Sequence, residues 1–167
     1  QNISSTNLNN ADVISISQEA SKSCIQVFFY RSKQNWGNQS FFPTHHESHS
    51  PEEVLTSFIA QFYENKNVPA EILLNKKIID LNLIKSALEK KERKSISIKV
   101  ANKGNALKLS KMAEKNAKEA LTRKIFESET NTKLLDQVTE KFKLDISPRI
   151  IEVYDNSHIQ GAHSVGA

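Results

Sequence analysis

The sequence is poor in cysteine and has no long apolar run. Its single cysteine, Cys24, lies in an apolar segment and is interpreted as a small buried side chain. A disulfide within the chain is excluded, since it would need a second cysteine. No segment approaches the roughly 18 apolar residues of a membrane span, and the first residues do not predict a signal peptide. With 38% apolar and 25% charged residues among 167, the composition predicts a globular protein of the reducing cytoplasm.

A strong charge of one sign is also missing, because the net charge is only +4. The basic excess is concentrated between residues 103 and 143, which hold ten lysines and arginines against six acidic residues. The candidate DNA-binding lysines in this stretch are Lys103, Lys108, Lys111, Lys115 and Lys118. The last four share one helical face, which suits contact with a phosphate backbone. It suits a solvated face equally well, with Glu114 and Glu119 as neighbouring opposite charges, and this second interpretation is favoured.

Hydrophobic periodicity predicts three strands and a helix in the first part of the chain. A flexible lead-in over residues 1–10 precedes strands centred on residues 13–16, 25–30 and 41–42. The polar segment SKQNWGNQ between the second and third strands is read as a turn. Ser50, Pro51 and Glu53 then form a capping box before an apolar stripe that runs to Tyr63, which predicts a helix.

The second part of the chain alternates strands and helices. The pattern predicts a strand over residues 71–74, a helix capped by Asp80 and a half-exposed strand over residues 96–100. A long helix follows Gly104, with a break near residues 128–132. The order β-β-β-α-β-α-β-α, followed by one extra strand, is that of the ribonuclease H-like fold. The predicted fold class is therefore α/β, with an α+β mixed sheet.

Nucleases of this fold need clustered carboxylates that bind two metal ions, and one of these carboxylates usually stands in the middle of the first strand. Here Asp12 only precedes the predicted strand, whose inner positions are Val13 to Ile16. The fourth strand ends at Leu74 and Asn75 without a carboxylate. We therefore expect residues 11–145 to form an inactive ribonuclease H-like domain.

Histidines and aromatic side chains around the third strand are further candidates. His45 and His49 have the spacing of two zinc ligands on a helix, but their segment lies between two prolines and lacks cysteine, which favours a solvated loop. Trp36 could stack on a nucleobase, although the sequence alone does not decide this. Phe41 and Phe42 are predicted to lie in the core.

The segment RIIEVYDNSHIQG, residues 149–161, combines a strand pattern with polar side chains. Its first six residues are β-branched or aromatic and predict a buried strand, which Asp155 ends. A carboxylate that leaves a buried strand could hold a divalent metal, but one carboxylate does not make a metal site. On composition alone, an Asx-type turn with His158 as a surface residue is favoured.

The residues EVYDNSHIQG, followed by SVGA, closely resemble the start of the endonuclease domain of the UvrC family. This family supplies the incising subunit of bacterial nucleotide excision repair. The segments ADVISIS, IQVFFYRSKQNWGNQSFFP, EEVLTSFIAQFYEN and NAKEAL resemble the middle region of the same family, in the same order. The resemblance covers about residues 9–167. Residues 101–106 depart from the family's proline- and arginine-containing loop, which weakens any DNA contact there.

The resemblance implies that the complete protein incises DNA on both sides of a lesion, with UvrB as partner and Mg²⁺ or Mn²⁺ as cofactor. Asp155 matches the first aspartate of the family's metal-binding triad, whose other two ligands fall beyond Ala167. His158 matches the histidine of the D-x-S-H-x-Q-G motif and is expected to support the site. Residues 148–167 would be the first strand and turn of an incomplete catalytic domain. The 167-residue chain alone is expected to be inactive and to bind no metal; the alternative is that this chain is a stand-alone DNA- or protein-binding module from a split or decaying gene.

Overall fold

The computed structural model describes residues 9–148, 150 and 151, together with the backbone of residues 156–159 and 163–166. Eight elements form the first, larger part: β1 (Asn10–Glu19), β2 (Lys22–Arg31), β3 (Gln34–Phe41), α1 (Pro51–Phe62), β4 (Glu71–Leu74), α2 (Leu81–Glu92), β5 (Ser97–Val100) and α3 (Gly104–Phe142). Two short strands, β6 (Asn156–Ile159) and β7 (His163–Gly166), follow. The predicted element order is confirmed through α3.

Strands β1 to β5 form one mixed sheet in the order β3-β2-β1-β4-β5. Strand β1 lies antiparallel to β2 and parallel to β4, and β4 in turn lies parallel to β5. A hairpin can join antiparallel strands, whereas parallel strands need crossover connections; here α1 and α2 lie in those crossovers. This topology confirms the predicted α/β fold with a mixed, ribonuclease H-like sheet.

Side chains alternate between the two faces of the sheet, so each face has its own core. On one face, residues such as Ile14 and Ile16 of β1 pack with α1 and α2. On the other face, Ala11 and Val13 of β1 pack with Leu109 and Ala113 of α3. The small residues of α3 allow the helix to approach the sheet closely, and the result is a three-layer arrangement of helices, sheet and helix.

The start of α1 is confirmed as a capping box. The Ser50 hydroxyl accepts a hydrogen bond from the Glu53 backbone N–H at 3.2 Å, and the Glu53 carboxylate accepts one from the Ser50 N–H at 2.7 Å. The hydrogen bond from the Ser50 backbone N–H, and then the Ser50 side chain, stabilise the charged carboxylate and lower the pKa of Glu53. The apolar stripe is also confirmed, since Val54, Leu55 and Ile59 are buried against the sheet.

The third strand is longer than predicted. The turn consists only of Ser32 and Lys33, both with positive φ, and β3 already begins at Gln34. Gly37 has a φ of 119° beside the shift in register with β2, where a bulge accommodates one extra residue. The prediction of a turn over the whole segment is therefore wrong, because residues 34–39 belong to β3. The prediction that Phe42 is a core residue is wrong, because it follows the strand and is 42% exposed, whereas Phe41 packs against the core.

One helix prediction is wrong, and a second is confirmed only in the position of the cap. Helix α3 runs without a break over 39 residues; residues 128–132 contain no glycine or proline, and the Thr132 hydroxyl bonds back to the Ser128 carbonyl at 3.0 Å within the helix. Asp80 does precede α2, but its backbone is left-handed and its side chain makes no capping hydrogen bond. Its carbonyl instead accepts hydrogen bonds from the Leu83 and Ile84 N–H groups.

Contacts divide the chain into two units, Gln1–Lys124 and Ile125–Ala167. In the second unit, β6 and β7 pair antiparallel as a separate two-stranded sheet. Ile150 and Ile151, which belong to the strand predicted over residues 149–154, lie in no strand, and Arg149 and residues 152–155 are outside the described residues. Within the described part of the chain, no helix is long and apolar enough to cross a membrane.

Candidate functional site

The centre of a ribonuclease H-like nuclease would lie where β1 and β4 run side by side. The two strands pair over Ala11–Ile14 and Glu71–Leu74, and the next residue of β1 is Ser15, which is fully buried and contacts α3. Its hydroxyl donates a hydrogen bond to the Ser110 carbonyl of α3 at 2.9 Å. The side chain at this position is therefore a neutral hydroxyl that is bonded to the helix backbone.

Asn75 occupies the position that follows β4, and its side chain bridges β1 and α3. Its Oδ1 accepts a hydrogen bond from the Ile16 N–H at 3.0 Å, and its Nδ2 donates to the Ile16 carbonyl at 2.9 Å. The same Nδ2 donates to the Glu114 carboxylate at 3.0 Å. The amide thus continues the sheet beyond the last residue of β4. We call Ser15, Ile16, Asn75, Ser110 and Glu114 the Asn75 cluster.

The Asn75 cluster does not fit a pair of divalent metal ions. It contains a single carboxylate, that of Glu114, and this group already accepts a hydrogen bond from the Asn75 amide. A pair of divalent metals that activates water needs several oxygen ligands, with carboxylates among them. Among the described residues, no group of three or more His, Cys, Asp or Glu side chains is placed to hold a metal ion.

Asp12 lies inside β1, not before it as predicted, and its side chain points toward α1. Its carboxylate, 1% exposed, accepts hydrogen bonds from Arg31 Nη1 at 2.7 Å and from the Tyr63 hydroxyl at 2.6 Å. Burial, and then the neighbouring Asp12 carboxylate, raise the pKa of Tyr63 well above its ordinary value. We call these three residues the Asp12 cluster. Both carboxylate oxygens are satisfied within the protein, which is the arrangement of a structural ion pair.

The predicted lysine face of α3 is exposed to solvent. Lys115 lies 3.8 Å from Glu119, one turn further along the helix. Glu114 instead accepts a hydrogen bond from Asn75 and forms no ion pair with these lysines. Lys108, Lys111 and Lys118 form no ion pair with any residue that the structure describes. This basic face therefore keeps most of its charge available to an anionic partner. Lys103 is exposed just before the helix begins.

Sequence reasoning missed the continuation of this basic face by one further turn. A shallow groove of about 520 Å³ on α3 is lined by Lys115, Lys118, Glu119, Thr122 and Arg123. The spacing in the sequence could have shown this. Arg123 follows Lys115 by eight residues and Thr122 follows Lys118 by four, so both lie on the same side of the helix as the lysines. A guanidinium can bind phosphate oxygens in a bidentate manner.

The histidine segment forms a loop, as predicted, and His45 uses both ring nitrogens within the protein. Its Nε2 lies 2.7 Å from the Ser23 hydroxyl, and its Nδ1 lies 2.9 Å from the His46 carbonyl. A histidine bonded in this way is not free to ligate zinc. Trp36 lies on β3 at the bulge and is 71% exposed, so it is accessible to a partner.

The structure does not test the two residues matched to the catalytic domain. Asp155 lies outside the described residues, and for His158 the structure describes only the backbone, which pairs with Ser164 in the β6–β7 sheet. Their roles as a metal ligand and a supporting residue stay predictions.

Comparison with known proteins places this geometry in a family. Residues 10–124 match the family model described as the UvrC Ribonuclease H-like domain. The chain is also similar to proteins named UvrABC system protein C. It is 46% identical to that of Maricaulis maris and 44% identical to that of Bradyrhizobium diazoefficiens, over 100% of this chain in each case. A relative from Ruegeria sp. is 43% identical over 99% of the chain. The chain spans about a quarter of the length of these relatives, between 24% and 26%.

Proposed function

The chain belongs to the UvrC family, and from this premise we propose that it is a non-catalytic platform within an excinuclease subunit of nucleotide excision repair. In the complete protein, the platform would position a catalytic domain on damaged DNA. The observation that carries this proposal is the Asn75 cluster. Where a nuclease of this fold needs charged metal ligands, the cluster has a buried hydroxyl and an amide that are bonded to the backbone.

The loss of metal ligands has a structural consequence that suits a platform. The Asn75 amide and the Ser15 hydroxyl tie β4, β1 and α3 together at the place where a nuclease would leave space for substrate and ions. Hydrogen bonds in a buried setting rigidify the elements that they join. A rigid sheet and helix would carry neighbouring parts of the complete protein at fixed positions.

We propose that the exposed face of α3 contacts the DNA backbone. Lys108, Lys111, Lys115 and Lys118, with Lys103 before the helix and Arg123 beyond them, provide positive charge along one element. Lysines that neutralise phosphates release bound counterions, so the resulting affinity depends strongly on salt and little on base sequence. Such contacts would let the platform bind DNA around lesions of different structure.

The domain organisation is part of the same proposal. Residues 1–10 would be a lead-in, residues 11–145 the inactive domain, and residues 148–167 the start of a catalytic domain. Asp155 would be the first ligand of its Mg²⁺ or Mn²⁺ site and His158 a supporting residue. The proposed partners are DNA and UvrB, and the proposed compartment is the cytoplasm. A stand-alone binding module is not favoured, because the similarity to much longer relatives runs through the whole chain.

A nuclease assay tests the absence of catalysis. The chain is incubated with damaged duplex DNA and Mg²⁺ or Mn²⁺, and no incision is expected, because one carboxylate cannot hold the metal pair. Cleavage that persists in the control variant Asp145→Ala but disappears in Asp155→Ala would overturn the proposal.

DNA binding is tested by titration at several salt concentrations. Lys111→Glu is expected to weaken binding several-fold and to lower the slope of log affinity against log salt by about 1. Lys90→Glu makes the same charge change on α2, away from the proposed face, and is expected to leave both quantities nearly unchanged. Equal effects of the two substitutions, or no binding at low salt, would contradict a role of α3 in DNA contact.

A further inference from the structure

Strand β5 lies at one end of the sheet and pairs only with β4 among the described strands. The N–H groups of Ser97 and Ala101 bond to the carbonyls of Ala70 and Leu74, on the β4 side. Because successive backbone groups of a strand point in opposite directions, the N–H and C=O groups of Ile98 and Val100 point away from β4. An edge of this kind is a template for one more strand.

One end of this edge is already covered by the protein itself. The Ile96 N–H, which also points away from β4, donates a hydrogen bond to the Glu89 carboxylate of α2 at 2.9 Å. For the outward N–H groups of Ile98 and Val100, no hydrogen-bond partner is found in the part of the chain that the structure describes. Two consecutive outward positions are therefore open, which is enough to start a strand pairing.

An apolar groove of about 420 Å³ lies beside these open positions. It is lined by Leu74, Ile78, Leu81, Ile98 and Val100, with Lys77, Lys99 and Asn102 as its polar residues. Leu81 is 38% exposed there. A strand added to β5 would direct every second side chain toward this side of the sheet. The groove therefore suits a segment with an apolar residue at alternate positions.

The charge at the groove is positive. Lys77 is exposed and forms no ion pair with a described residue, and Lys99 lies 2.5 Å from Glu71. No acidic side chain lines the groove. A partner with carboxylates between its apolar residues would complement this charge, whereas a basic partner would be repelled.

We propose that the open edge of β5 and its groove bind an extended acidic segment of a partner protein, which adds to the sheet as a strand next to β5. Main-chain hydrogen bonds to Ile98 and Val100 would supply affinity, and the groove with Lys77 would supply specificity. This site goes beyond the proposed DNA platform, since it uses neither α3 nor the Asn75 cluster. It gives the domain a means of binding protein and DNA through separate surfaces.

The test uses three fluorescent peptides of about eight residues, the length of a typical strand. The first alternates valine with glutamate or aspartate, the second alternates valine with lysine, and the third is the acidic peptide with its alternate backbone nitrogens methylated. Binding to the whole chain is measured by fluorescence polarisation, and amide hydrogen exchange is measured at Ile98 and Val100. Only the acidic, unmethylated peptide is expected to bind and to slow exchange at both positions.

Protein variants locate the binding. Leu81→Asp is expected to weaken binding of the acidic peptide about tenfold, because it places a charge in the apolar groove. Lys77→Glu is expected to weaken it about fivefold through charge repulsion, and Lys90→Glu, an exposed lysine of α2 outside the groove, is expected to have no effect. Leu81 and Lys77 are both exposed, so circular dichroism and thermal unfolding are expected to show folded variants.

Several outcomes would overturn the proposal. One is that the acidic peptide does not bind up to roughly 1 mM, the weak end of specific association. The others are that the lysine peptide, or the methylated peptide, binds as tightly as the acidic peptide. A single-stranded oligonucleotide that binds the chain and loses affinity in Lys77→Glu but not in Lys111→Glu would instead assign this face to nucleic acid.

Discussion

The Asp12 cluster and the Asn75 cluster both begin on β1, and their side chains lie on opposite faces of the sheet. Toward α1, a buried charge is kept and is matched by Arg31 and Tyr63. Toward α3, Ser15 and Asn75 are neutral and bond to backbone groups. The two clusters therefore show two ways in which polar side chains beside β1 are satisfied by hydrogen bonds within the protein. In neither cluster are these side chains free to bind a metal ion.

The difference predicts how each cluster responds to substitution. Removing the partner of a buried charge leaves that charge uncompensated, at a cost of several kcal/mol. Removing a neutral side chain leaves unpaired backbone groups, which costs less. The comparison between the two clusters can therefore be tested by measuring stability.

The largest effect is expected for Arg31→Ala. This substitution leaves the Asp12 carboxylate buried with only the Tyr63 hydroxyl as a partner, so the free energy of unfolding is expected to fall by about 3 kcal/mol, as measured by urea denaturation. Arg123→Ala, an exposed arginine of α3, is the matched control and is expected to change it by less than about 0.5 kcal/mol. Equal losses in the two variants would show that Asp12 does not depend on its ion pair.

A smaller effect is expected for Asn75→Ala. The Ile16 N–H and carbonyl would each lose a partner at a residue that is 1% exposed, and the free energy of unfolding is expected to fall by about 2 kcal/mol. Asn82→Ala, at an exposed position of α2, serves as the control. Amide exchange at Ile16 should become faster in Asn75→Ala; unchanged exchange would mean that the amide does not protect the end of β1.

The smallest effect is expected for Tyr63→Phe, which removes one hydrogen bond to Asp12 and should cost about 1.5 kcal/mol near pH 7. The folded pKa of Tyr63 is raised above its ordinary value of 10.0, so its contribution is full below that pH and is lost as the pH rises toward the folded pKa. The stability difference between wild type and Tyr63→Phe should therefore shrink above about pH 10. Urea denaturation of both proteins at pH 7 and in the alkaline range measures this stability difference. A difference that grows with pH would contradict the raised pKa of Tyr63.

The sequence was sufficient where local rules agree with the fold. The capping box at Ser50 and Glu53 and the period-two pattern of Ile96, Ile98 and Val100 each depend on neighbours in sequence, and both are confirmed. The element order that followed from them was enough to predict the mixed sheet. The absence of a carboxylate at Leu74 and Asn75, where β4 ends, could also be read directly.

Predictions failed where distant residues decide the local structure. Asp12 was predicted to precede β1, because a charged residue is not expected inside a buried strand. The partners that allow its burial, Arg31 and Tyr63, lie 19 and 51 residues away in the sequence. The segment SKQNWGNQ, residues 32–39, was predicted to be a turn, but residues 34–39 belong to β3, because they pair with β2 across the bulge near Gly37. In both cases pairing across the sheet overrides the local preference.

The sequence by itself determined the order of the elements, the place of the neutral residues Ser15 and Asn75, and the basic character of α3, because each of these follows from residue type and spacing. Only the tertiary structure decided what those residues contact. It joined Asn75 to Ile16 and Glu114, and it paired Asp12 with Arg31 and Tyr63. Among the strands that the structure describes, it also left the outer edge of β5 without a partner. The physical reason is that hydrogen bonds and burial depend on atoms brought together from distant parts of the chain, which no local pattern records.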